Sequence, residues 1–196
     1  MKKVLAIALA LVVLVSFAAC AGNKAPKAYE GDVSTVIASM YEKKAPEFMV
    51  GPAMPVDLND PWAVQSYLGI AAAEDAEVTD GNTAEPVFKE AYFSESMIGS
   101  QAYSLVIARV ADASKVEEIK AQMFEGIDTR KWICVAADQL RVVSYADVVM
   151  LVMVSSELAP GLADGLVEAF AATVSASQVT GSDVLGELTG EILTRG

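Results

Sequence analysis

The chain has 196 residues, 54% of them hydrophobic, with 26 acidic against 14 basic residues, a formal charge of −12 and no histidine. That apolar content excludes a wholly disordered chain and suits one domain with a true core. The acidity opposes binding to nucleic-acid phosphates, and the missing histidine removes Ser-His-Asp and Cys-His catalysis together with the commonest zinc ligand.

Lys2 and Lys3 precede an unbroken apolar run from Val4 to Val15, followed by Ser16, Phe17, Ala18, Ala19 and Cys20. A positive start, an apolar middle and small residues before a cut predict a secretory signal peptide over residues 1–19. Read as a helix, Val4 to Ala19 reaches about 24 Å, short of a hydrocarbon core of about 30 Å. Polar residues follow it, so the spanning reading is the weaker one. Phe17-Ala18-Ala19-Cys20 resembles the lipobox of bacterial lipoproteins, with phenylalanine where leucine is usual. The resemblance implies cleavage before Cys20 and lipid on the Cys20 thiol. Two or more acyl chains anchor stably where one is marginal. The expected location is therefore the extracytoplasmic face of the cell membrane. Cleavage leaves 177 residues and removes both lysines, which takes the formal charge to −14. Anionic head groups repel such a chain, so the lipid itself must hold it there.

Residues 20–31 lack an apolar period and read as a flexible tether. Asp32 to Lys44 follows as a helix, capped by Asp32 or Ser34, with Val33, Val36, Ile37, Met40 and Tyr41 on one face. Asp60-Pro61 is a cap followed by proline in the first helical turn, and opens a short helix that turns Trp62 and Leu68 inward. The acidic stretch 71–86 lacks the ligand spacing of an EF-hand and reads as a solvated loop. Val87 to Phe93 alternates like a strand, and Tyr103 to Val110 is a second, joined through a turn at Gly99-Ser100-Gln101. Asp112 or Ser114 caps the next helix, which lines up Val116, Ile119, Lys120 and Met123; Ser114 and Glu117 have capping-box spacing. Leu140 to Tyr145 and Val148 to Val154 form another pair of strands about Ala146-Asp147. The second of these, all apolar, reads as a central strand buried on both faces. Pro160 to Val174 and, after Ser182, Asp183 to Thr194 read as closing helices.

This order predicts an α+β fold: a mainly antiparallel four-stranded sheet from two β-hairpins (a ββαββ core over residues 32–156), with helices on one face. Residues 157–196 form helices on or beside that core.

Several chemistries are absent. No Gly-x-Ser-x-Gly elbow, Ser-x-x-Lys, Cys-x-x-Cys or phosphate-binding glycine loop occurs. Cys134, in the apolar run Trp132-Ile133-Cys134-Val135, is expected to be a buried, inert thiol. A reactive thiol, favoured by Arg130 and Lys131 nearby, is the minor alternative. Trp62 and Trp132 could each stack a sugar, although a lone tryptophan more often belongs to the core. The acidic residues admit a carboxylate-pair hydrolase without selecting a pair.

Asp60-Pro61, the Tyr103 to Val110 strand, the Ser114 helix, and Arg130-Lys131-Trp132-Ile133-Cys134-Val135 ahead of Val148 to Val154 occur in an order that resembles a family. It is a family of small, uncharacterised lipoproteins of Gram-positive, clostridia-like bacteria, a domain of unknown function. The resemblance covers about Asp32 to Ser156 and implies an anchored extracytoplasmic domain; it brings no activity, substrate or catalytic residue. The expected function is a non-enzymatic binding or interaction domain at the cell envelope. It would use no cofactor or metal, touch the membrane through Cys20 and meet an envelope partner. A solute-binding lipoprotein serving a transporter and a carboxylate-dependent envelope hydrolase are the alternatives.

Overall fold

The computed structural model describes residues 28–71, 86–175, 185 and 188–196. The signal segment 1–19, Cys20, the tether up to residue 27, the acidic loop over 72–85 and the Ser182 cap lie outside the described residues. In chain order, a 3-10 turn (Val33–Thr35) runs into α1 (Val36–Tyr41). Next come β1 (Met54–Pro55), α2 (Pro61–Leu68), β2 (Phe88–Glu95) and β3 (Tyr103–Val110). A second 3-10 turn (Ala113–Lys115) leads into α3 (Val116–Gly126), followed by β4 (Gln139–Tyr145), β5 (Val148–Val154), α4 (Leu162–Val174) and β6 (Thr189–Arg195).

The strands form one open antiparallel sheet in the order β1-β2-β3-β5-β4-β6. The class is α+β, but the expected four-stranded sheet is corrected to six strands. The two expected hairpins are present, and each gains an edge strand. β1 adds to β2 through Met54 and Pro55. β6 adds to β4 through Leu140–Arg195 and Ser144–Thr189 pairs.

The helices also cover both faces rather than one. All seven residues of β5 are buried, and side chains alternate across a strand. Val148, Met150, Val152 and Val154 join Tyr103, Leu105 and Ile107 of β3 in a core closed by α1 and α4. Val149, Leu151 and Met153 join Val106, Ala108 and Val110 in a second core closed by α2 and α3. A fully apolar strand has no side to leave wet, so two helical layers follow from it.

The expected apolar faces of the first and third helices hold. Val33, Val36, Ile37 and Met40 are buried, as are Val116, Ile119, Lys120 and Met123. Their caps are the aspartates: Asp32 accepts from the Ser34 amide and Asp112 from the Ser114 amide, each at 2.9 Å. These bonds hold both carboxyls below the usual carboxylate range. Glu117 does not complete a capping box; its carboxylate pairs with Lys120 at 2.8 Å. Ala28 to Gly31, the last residues of the expected tether, lie against the sheet. There the Tyr29 amide donates to Asp147, and Arg109 donates to the Tyr29 and Gly31 carbonyls.

The expected last helix is the second correction. Its described part is β6, with Gly190 at φ +65°, a backbone angle no right-handed helix admits. Two forces select the strand. The free edge of β4 needs backbone partners. Lys120, 1% exposed, supplies charge-assisted donors to the Thr189 and Glu191 carbonyls at 3.2 and 2.7 Å.

Lys120→Ala removes both donors and leaves buried carbonyls without partners, at roughly 1.5–3 kcal/mol for hydrogen bonds to a charged group. The expected result is a stability loss of that size in denaturant unfolding. Amide exchange should accelerate at residues 189–195 before it does in β3 and β5.

Candidate functional site

Helix α2 is fixed at both ends. Asp60 caps it by accepting from the Trp62 amide at 2.9 Å, Pro61 opens it, and Gly69 ends it in a left-handed conformation. Its inward side chains are Ala63 and Leu68. Trp62 was expected to turn inward; it is 70% exposed, because Ala63, Val64, Tyr67 and Leu68 form the stripe on the core and leave Trp62 to one side.

The end of α2 meets the end of α3 at two glycines. A Cβ on Gly126 would overlap the Gly69 carbonyl oxygen, and one on Gly69 would stand 2.6 Å from the Ile127 amide nitrogen. The Gln65 side-chain amide donates to the Gly126 carbonyl at 3.0 Å. This close approach brings the 127–138 loop alongside α2. Between them opens a cleft of about 400 Å³ whose walls include Trp62, Tyr67, Glu95, Asp128, Lys131 and Trp132.

Lys131 forms its floor. Its ammonium pairs with Glu95 at 2.6 Å. It donates to the Ser66 carbonyl at 3.2 Å and to the Ser104 hydroxyl at 3.3 Å. It also lies 4.4 Å from the Tyr67 ring centre and 5.4 Å from that of Trp132, a cation–π arrangement. Tyr67 stacks its ring on Phe93, with centroids 4.0 Å apart. Burial pushes the Lys131 ammonium below its ordinary value, against the opposing pull of Glu95 and Asp128. Burial, and then the Glu95 carboxylate, push the Tyr67 phenol up to about 12.

Cys134 is corrected as well. It is exposed, not buried, because it turns at φ +67° and the loop carries its side chain away from the sheet. The neighbouring Lys131 points into its own ion pair rather than activating the thiol. Among the described residues, no group of three or more His, Cys, Asp and Glu is placed to hold a metal ion, and no helix is long and apolar enough to cross a membrane. Cys20 lies outside the described residues.

Trp62 and Trp132, read separately from the sequence, are thus brought to one cleft. Glu95, Asp128 and Lys131 were not singled out as a group. Lys131 next to an aromatic residue was the visible signal, but its partners come from α2, β2 and β3. Comparison with family models, with curated proteins and with solved structures finds no match. The α+β fold and the geometry of the cleft therefore carry the functional argument.

Two predictions come from this geometry. Gly126→Ala drives a methyl into backbone that cannot move away independently, and overpacking of this kind costs about 1–3 kcal/mol. It should lower thermal stability and change the emission of both tryptophans, while a substitution at exposed Gly99, where a Cβ meets nothing within 4 Å, should do neither.

The second concerns pH. Tyr67 has a raised folded-state pKa, so its contribution to stability is intact below pH 10 and is lost as pH rises towards about 12. Lys131 is depressed, so its contribution has the opposite sign: present above its ordinary 10.5 and lost as pH falls through its folded value. Glu95→Gln removes the carboxylate that favours the neutral phenol and the charged ammonium. Tyr67 should then ionise at lower pH in an ultraviolet titration read against Tyr67→Phe, and Lys131 should lose its proton earlier. An unmoved phenol transition would contradict the Glu95–Tyr67 coupling.

Proposed function

We propose that this chain is a lipid-anchored extracytoplasmic domain that binds a small ligand, without chemical turnover, in the cleft between α2 and the 127–138 loop. The observation that carries this reading is the convergence of the chain's two tryptophans with Glu95, Asp128 and Lys131 around about 400 Å³. Small-ligand sites are concave, of about 300–1,000 Å³, and combine apolar walls with a few placed polar groups.

Binding without turnover is supported by how the polar groups are spent. The three Lys131 donors face Glu95, Ser66 and Ser104, so the amine is not a free nucleophile. Glu95 is neutralised by Lys131, which leaves Asp128 as the one unpaired carboxylate in the cleft. A glycoside hydrolase needs two carboxyl groups flanking one bond. Among the described residues a single sheet carries both cores, with no second lobe to close over a solute. This favours a surface binder over a two-lobed transporter component. Anchoring is supported by the signal-like segment over residues 1–19 and the resemblance of Phe17-Ala18-Ala19-Cys20 to a lipobox.

Cys20→Ser tests the anchor. The variant should leave the membrane fraction and lose acyl label, whereas unchanged fractionation would sink that half of the proposal. The cleft is tested by its own fluorophores, since Trp62 and Trp132 are the only tryptophans of the chain. A saturable change in their emission with one class of sugar, peptide, amino acid or other small solute is expected. Silence across all of them, in emission and in Tm, would overturn the binding reading.

A further inference from the structure

The chemistry of the cleft is selective enough to name a ligand class, an inference that rests on the binding reading above. We infer that the ligand is a neutral saccharide, one or two sugar units long, seated against Trp62.

The walls divide into groups already satisfied and groups left open. Tyr67 has Phe93 against its ring at 4.0 Å and the Lys131 ammonium at 4.4 Å. It is floor, not platform. Trp132 shares the same ammonium at 5.4 Å. Trp62 has no ring or cation partner among the described residues and is 70% exposed. An indole held on a capped helix at the mouth of a cleft, with its apolar surface uncovered, suits a ligand that presents a flat C–H face.

The open polar atoms include two well-placed acceptors. Gln65 gives one amide N–H to Gly126, and its carbonyl oxygen has no protein partner among the described residues. One Asp128 oxygen accepts from the Arg130 amide at 2.8 Å, and the other has no protein partner there. Vicinal hydroxyls, which both donate and accept, suit such a set.

Charge then narrows the class. An anion would meet two carboxylates and a lysine whose three donors are already engaged. A quaternary ammonium would compete with Lys131 for the Tyr67 and Trp132 ring faces and would be repelled by it at short range. A neutral polyol pays neither cost. An acyclic polyol lacks the rigid apolar face that Trp62 offers to cover, and a sugar ring has one.

The test titrates the full-length protein, held in a non-glycosidic detergent, with neutral mono- and disaccharides, glycerol, choline, phosphate and a uronic acid. Tryptophan emission and calorimetry report binding. Neutral saccharides should saturate the signal and the other probes should not. Trp62→Ala should weaken saccharide binding at least tenfold with Tm unchanged, and Trp62→Phe, which keeps a ring, should restore part of it. Saturation by choline, phosphate or the uronic acid alone would overturn the saccharide inference and leave the binding reading standing. Silence with every probe would overturn the saccharide inference, and the binding reading falls only if peptides and amino acids are silent too. Saccharide affinity unchanged in Trp62→Ala would overturn the assignment of the platform.

Discussion

The constraint on which the rest depends is that β3 and β5 lie side by side with almost no exposed residue between them. Seven ladder pairs join them, from Tyr103–Val154 to Arg109–Val148, and in β5 every side chain is buried. Such a pair cannot sit under helices on one face only; either open face would leave three or four large apolar side chains in water, at about 1.5–3 kcal/mol each. Helices α1 and α4 cover one side and α2 and α3 the other, and the remaining strands extend the sheet outwards. The cleft is a consequence of this arrangement. It opens where the second layer runs out, beyond the point at which the ends of α2 and α3 touch.

In a strongly acidic chain, basic side chains are used inside. Arg109 donates to the Tyr29 and Gly31 carbonyls and pairs with Glu90 and Asp147. Lys120 holds Thr189 and Glu191 of β6. Arg141, 7% exposed, donates to the Arg195 carbonyl and pairs with Asp164 of α4. Lys131 holds Ser66 of α2. Arg109, Lys120 and Arg141 reach backbone carbonyls of segments at the margins of the sheet, and Lys131 reaches a carbonyl of helix α2. Buried carbonyls need partners, and a cation on a long stem reaches one that no neighbouring strand can. Each cation also meets a carboxylate, which offsets the cost of burying it.

The parts legible in the sequence were those decided locally. The apolar runs of β3 and β5 and the stripes of α1 and α3 need only their own residues to be recognised, and Lys120 already lay within an apolar stripe. β6 was not legible as a strand. Leu185, Leu188 and Ile192 have helical spacing, and what decides the conformation is the free edge of β4 together with Lys120, both distant in sequence. Trp62 was misplaced because it and Leu68, six residues apart, point about 120° away from each other on a helix, whereas Ala63, Val64, Tyr67 and Leu68 form the stripe that meets the core. The cleft depends on the Gly69–Gly126 contact, and a pair of glycines carries no pattern until the two helices are packed.

The placement of the cleft bears on how an anchored domain would work. The chain enters the fold at Tyr29, fastened to Asp147 in the β4–β5 turn and to Arg109 near the end of β3. The floor of the cleft is fastened to Ser104 at the start of the same strand and to Glu95 at the end of β2. Ser104 and Arg109 are five residues apart along β3, about 17 Å at roughly 3.4 Å per residue. If the chain is anchored at Cys20 as proposed, tension arriving at Tyr29 would act on the end of the sheet opposite the cleft. The Arg109 network would take that load through two carbonyls and two carboxylates. On the proposed reading, anchoring and binding would use separate ends of the sheet.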